Sequence, residues 1–144
     1  AIVMERGLAL HISLYGENNS ELMHQYPILA GIHLAEKNYD RAEELYLNAI
    51  SIMSDSIGNL HPRTVTLREY LATMLFDSGK TDEALELFSE VVLEWELALG
   101  PNHIRQSVSY AGYAQMLNAV GRTEESTEAF RKARKINAAW EAAR

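Results

Sequence analysis

Apolar residues recur along this chain at steps of three and four, the spacing that gathers them on one face of a helix. One run is Leu67, Leu71, Met74 and Leu75, opened by His61-Pro62 and stopped by Asp77-Ser78-Gly79-Lys80. Proline at the first helical position gives up no needed N–H, and Gly79 can take the left-handed conformation that closes a helix. Thr81 then stands as the N-cap of a second helix, with Asp82 and Glu83 suited to its positive end. Ala84, Leu87, Phe88, Val91 and Val92 form its buried stripe, and it runs to Leu99 before Gly100-Pro101. A further pair follows the same plan, with a first helix from about Ile104 to Val120, a turn at Gly121 and a second helix from about Thr123.

The plan is periodic. Gly16, Gly58 and Gly100 stand 42 residues apart, and the same shift aligns Ala30, Ala72 and Ala114, then Leu29, Leu71 and Tyr113. Asp40, Asp82 and Glu124 make an acidic column, Tyr46, Phe88 and Phe130 an aromatic one, and Ala49, Val91 and Ala133 a small one. Such self-similarity marks stacked supersecondary units that share a core. Continued backwards, the register puts Met4 with Tyr46 and Gly7 with Ala49. Residues 1–15 therefore read as the second helix of a unit whose first helix is missing, with apolar surface uncovered. The expected organisation is a half repeat over 1–15 and repeats at about 17–58, 59–100 and 101–144.

Composition narrows the function. With 144 residues, 47% hydrophobic and 23% charged, the chain suits one folded array. It has no cysteine, which excludes disulfides, thiol catalysis and cysteine-bound metals. A net charge of −7 argues against a nucleic-acid surface. No apolar run is long enough to span a bilayer, and the start, Ala1-Ile2-Val3-Met4-Glu5-Arg6-Gly7, lacks a signal-peptide pattern. A cytoplasmic protein is expected.

Leu71, Ala72, Gly79, Ala84 and Phe88 together resemble the tetratricopeptide repeat, whose usual period is about 34 residues. The added length lies in Ile57-Gly58-Asn59-Leu60-His61-Pro62 and Leu99-Gly100-Pro101-Asn102-His103, which is similar to the kinesin light chain type of repeat. That resemblance implies an all-α, right-handed solenoid of antiparallel helix pairs whose first helices line a concave wall. Kinesin light chains carry paired asparagines on each first helix; the corresponding places here hold Pro27 and Ile28, Glu69 and Tyr70, and Ala111 and Gly112.

If Leu71, Ala72, Met74 and Leu75 face the core, the interleaved residues are left for the concave wall. These are Thr66, Glu69, Tyr70, Thr73 and Asp77 in the second unit, Val108, Ala111, Gln115 and Asn118 in the third, and His24, Gly31 and Ala35 in the first. Polar groups can hydrogen-bond a peptide backbone there while a ring takes an apolar side chain. No motif supports catalysis, and no cofactor is expected. His61 and His103 share a column whose third member is Asn19, too few convergent ligands for a metal; they read as connectors bonded to a neighbouring helix end. His33 falls among the core positions of Leu75 and Leu117. Glu83, Glu86, Glu90 and Glu94 read as a solvated outer stripe, Arg131, Lys132, Arg134 and Lys135 as dipole-complementing charge, and Trp95 and Trp140 as packing. The expected function is a non-catalytic module that binds a protein or peptide partner. The alternatives are a homodimerisation module acting through residues 1–15, or a regulatory segment of a larger multidomain protein.

Overall fold

The computed structural model describes residues 1–144 and contains seven helices and no strand. They are α1 (Ile2–Tyr15), α2 (Leu22–Ala35), α3 (Tyr39–Ile57), α4 (Pro62–Asp77), α5 (Thr81–Leu99), α6 (Ile104–Ala119) and α7 (Thr123–Ala142). The densest contacts lie within the pairs α2/α3, α4/α5 and α6/α7, and lesser ones join α3 to α4 and α5 to α6. Each helix thus touches its neighbours along the sequence, which is the connectivity of a solenoid. The surface of 8141 Å² exceeds the roughly 7,450 Å² of a compact globule of this mass, in keeping with an array one helix pair thick.

The turn within each pair is built one way three times. The N–H groups of Asn38, Lys80 and Arg122 donate to the carbonyls of His33, Leu75 and Leu117 at 2.8, 2.9 and 2.9 Å. Those of Lys37, Gly79 and Gly121 donate to Leu34, Phe76 and Asn118. This is the paired closing pattern that requires a left-handed residue just past the helix end. Gly79 and Gly121 supply it with φ of 92° and 84°, whereas in the first unit Lys37 is forced to φ 60°. The same turn displaces the expected cap: Lys80 closes α4 and also occupies the N-cap place of α5, so Thr81 becomes the first helical residue and makes no cap bond.

The column of His61, His103 and Asn19 has a different job from the one expected. His61 Nδ1 accepts the N–H of Arg63 at 3.1 Å and His103 Nδ1 that of Arg105 at 3.0 Å, so each caps its own helix. Asn19 Oδ1 accepts the N–H of Glu21 at 2.8 Å, the same bond from a different side chain.

The buried apolar residues form three clusters, one from Leu8 of α1 to Ala84 of α5, one from Ala72 of α4 to Ile136 of α7, and a small one in which Trp95 lies fully buried beside Val65 and Val91, with half-buried Leu87 packed against all three. Ala30, Ala72 and Ala114 are buried where helices approach closely. Tyr46 and Phe88 are buried between units, while Phe130 is half-buried. Buried polar groups in the last unit find helix carbonyls: Gln106 Nε2 donates to Val92, Ser107 Oγ to Ala133 and Ser126 Oγ to Ala114. Trp140 near the end of α7 lies against the His103 ring at 4.7 Å, covering the start of α6. The acidic stripe of α5 is not wholly solvated. Glu90 and Glu94 both pair with Arg68 of α4, and Glu94 is only 16% exposed, so burial raises its pKa.

Charged pairs also cross between units. Glu5 of α1 receives Arg41 of α3 through two bonds of 2.7 Å and His33 Nε2 through a third. His33 is buried, as its column suggested, and its Nδ1 takes Asn38 Nδ2 at 3.2 Å. Asn38 donates, so Nδ1 is the acceptor and Nε2–H points at the carboxylate. The Arg41 bonds, with His33 adding to them, overcome burial and hold the Glu5 carboxyl at about 2, below its ordinary 4.5.

Two outcomes follow from these contacts. Replacing Lys37 by glycine removes a left-handed strain of roughly 1–2 kcal/mol, less the entropy glycine loses on folding. The Lys37→Gly chain is expected to be about 1 kcal/mol more stable in urea unfolding. A carboxylate with a depressed pKa stabilises the fold above its unfolded value and ceases to as pH falls through the folded one. The stability gap between the native chain and Glu5→Gln is therefore expected to be full at pH 6, to shrink below pH 4.5, and to close near pH 2 in denaturant titrations.

Candidate functional site

The α4 and α6 helices flank a cleft of about 540 Å³ lined by Glu69, Tyr70, Thr73, Phe76, Phe88, Arg105, Val108, Gly112, Gln115 and Met116. Its floor is the Phe88 ring, which is stacked on Tyr113 at 5.8 Å between centroids. Gly112 keeps the cleft open, since a Cβ there would stand 3.3 Å from Phe88 Cζ. Gly112 falls in the column of Ile28 and Tyr70, so the third unit has a gap where the others carry a large side chain.

The rim is apolar and accessible, with Tyr70 at 51% and Val108 at 53% exposure. One end is closed by an ion pair in which Arg105 Nη2 donates to Glu69 Oε2 at 2.7 Å. Glu69 is buried, and the Arg105 guanidinium lies 4.7 Å over the Trp95 ring. Carboxylate and indole together fix the arginine in one place, a geometry suited to its planar fork. Burial raises the Tyr113 hydroxyl pKa behind the floor. Thr73 Oγ1 donates to the Glu69 carbonyl and Thr66 Oγ1 to that of Pro62, so both hydroxyls offer acceptor lone pairs outward.

The structure brings five of the sequence-derived wall residues into this cleft: Glu69, Tyr70, Thr73, Val108 and Gln115. Thr66 lines a separate hollow of about 250 Å³ between the first two units, with His24 and Arg63 among its other walls. Ala111 packs against the core, and Asp77 and Asn118 are exposed outside the cleft. Gly31 and Ala35 are exposed on α2 without lining either hollow. Sequence reasoning passed over Phe76, Phe88, Arg105, Gly112 and Met116 as wall residues. Arg63 and Arg105, each two places after a capping histidine, form a column that could have pointed to one of them.

No helix is long and apolar enough to cross a membrane. Comparison with solved structures gives a TM-score of 0.82 and 23% identity to a kinesin light chain of nearly identical TPR-like repeats from Podosopora anserina, covering 94% of this chain and 64% of that one. BtubC (BKLC) of P. vanneervenii superposes with a TM-score of 0.84 at 16% identity, over 96% of this chain and 55% of that chain. These likenesses extend the helix-pair solenoid to a kinesin-light-chain-like architecture. Among curated proteins, the clustered mitochondria protein homologs of Coccidioides immitis (strain RS) and Emericella nidulans are each 27% identical over 93 residues, 65% of this chain. The match spans only 7% and 8% of their own lengths. The family profile described as tetratricopeptide repeat matches residues 20–92 and 65–139, together nearly the whole of the three helix pairs. With its pairs, turns and stacking as described, the chain belongs to the tetratricopeptide repeat family.

Proposed function

We propose that this array is a non-catalytic peptide-binding module that uses the α4/α6 cleft of its concave wall. Tetratricopeptide repeats are scaffolds for protein–protein interaction, and the cleft supplies a specific seat. The observation that carries the reading is the aromatic floor kept open at Gly112 beneath an accessible Tyr70–Val108 rim. An apolar side chain of an extended segment enters over Gly112 and rests on Phe88. Gln115 and the outward lone pair of Thr73 Oγ1 hydrogen-bond the segment's backbone. Because Glu69 and Trp95 already hold Arg105, little ordering is left to the moment of binding.

A second reading, self-association, is favoured by a different surface. Ile2, Val3, Leu10 and Leu14 of α1 are between 61% and 82% exposed, an unusual concentration of apolar surface on one short helix.

The cleft reading is tested with peptides selected from a random displayed library against the intact chain. Tyr70 and Gln115 are exposed, so Tyr70→Ala with Gln115→Ala leaves the helices in place. The double variant is expected to weaken the selected peptides at least tenfold, about 1.4 kcal/mol. Gly112→Leu, which fills the seat, is expected to abolish their binding. Peptides that bind both variants as well as the native chain, by titration calorimetry, overturn the assignment.

A further inference from the structure

Two of the three helix pairs seat a side-chain cation of their own at the same place. In the second unit it is the guanidinium of Arg68, with Nη2 2.9 Å from Glu90 and 3.0 Å from Glu94. The 42-residue shift puts Tyr110 in the column of Arg68 and Lys132 in that of Glu90. In the third unit the Lys132 ammonium accordingly stands over the Tyr110 ring at 5.7 Å. The first unit has Tyr26 and Asn48 in those columns, and neither is a cation.

There the pair opens instead into a recess of about 300 Å³, walled by Tyr26, by polar side chains of α3 and by Leu8 and Ile12 of α1. Leu8 and Ile12 lie on the side of α1 that joins the core of α2 and α3, so the recess is built entirely from packed elements. The lining has acceptors to spare. Glu17 pairs with no cation of the chain, and Glu44 meets Arg41 at 2.9 Å yet stays 61% exposed. Arg41, the one cation of the wall, is already engaged, because its Nε and Nη2 donate to Glu5.

The buried polar member is Tyr26. It is 3% exposed, and its hydroxyl makes no hydrogen bond within the chain. Burial, followed by the charges of Glu17 and Glu44, raises its pKa, so it remains a phenol that can turn a lone pair to an incoming N–H. A buried hydroxyl is costly to leave without a partner. Two carboxylates beside one seat suit the planar fork of a guanidinium, as Glu90 and Glu94 do for Arg68.

We propose that this recess takes the guanidinium of an arginine on a partner polypeptide, held by Glu17 and Glu44 against the Tyr26 phenol. The first unit thereby receives from outside the cation that the second supplies from Arg68. The recess shares no residue with the α4/α6 cleft, so the inference is independent of the cleft reading and both seats can be filled at once.

Nuclear magnetic resonance titration of the isotope-labelled 144-residue chain with N-acetyl-arginine amide at low salt tests the assignment. A ligand this small is expected to bind with a dissociation constant of about 1 mM, moving the amide signals of Glu17, Tyr26 and Asn48. The citrulline analogue, alike in shape but uncharged, is expected to bind about tenfold more weakly. Glu17→Gln with Glu44→Gln, both exposed, is expected to weaken the arginine ligand about tenfold, and Tyr26→Phe roughly threefold. Asn48→Lys gives the first unit the cation that the third carries and is expected to abolish binding, with circular dichroism verifying that each variant is folded. Agmatine, the same guanidinium without a peptide backbone, is expected to bind no more tightly than the capped arginine. Signals that stay in place up to about 50 mM ligand overturn the proposal. So do equal affinity for the arginine and citrulline ligands, and binding indifferent to the glutamate and Asn48 variants. A preference for agmatine overturns the polypeptide as the source of the cation.

Discussion

A helix pair has more apolar face than it can cover by itself, and every other feature of this chain follows from that shortage. Two helices shield one another along one seam and leave a second side bare, which only another pair of the same shape can cover. Tyr46 and Phe88 fill the layer between units, and Ala30, Ala72 and Ala114 let the backbones close on it. Elsewhere in the aromatic column Phe130 is only half-buried and Met4 of α1 is exposed.

Much of the fold was legible because backbone chemistry leaves local marks. Pro62, Gly79 and Gly100 bracket α4 and α5 closely, and the 42-residue shift carries the mark of Gly100 to Gly58 and Gly16 and that of Gly79 to Gly121, though not that of Pro62. The small discrepancies arise where one residue serves two elements. Lys80 ends one helix and begins the next, so the better capping side chain, Thr81, has no free place to cap. His61, His103 and Asn19 show the converse. Side chains unlike in chemistry converge on one bond because each column member faces an N–H two residues on.

The cleft was only half legible, and the reason is geometric. Helical phase identifies which residues of α4 and α6 leave the core, and it found Tyr70, Thr73, Val108 and Gln115. It does not tell how far each unit is rotated on the last, and that rotation decides which residues meet across the gap. Arg105 reaches Glu69 across 36 positions of sequence, and Phe88 reaches up from the second layer to Gly112. Glu94 looked solvated for a different reason: helical phase on α5 alone does not show that Arg68 of its pair partner α4 reaches across to it. Asp77 and Asn118 have the right phase but lie beyond the ends of the cleft.

The polar bonds of the last unit bear on how constant that cleft can be. Greasy surfaces slide over one another with little penalty, but a donor aimed at one carbonyl loses its bond when displaced by a turn. Gln106 holds α6 to Val92 of α5, and Ser107 holds it to Ala133 of α7. Only the first of these crosses between successive pairs, so Gln106 indexes the third pair on the second, and with it the width of the cleft between α4 and α6, while Ser107 fixes α6 against its own partner helix.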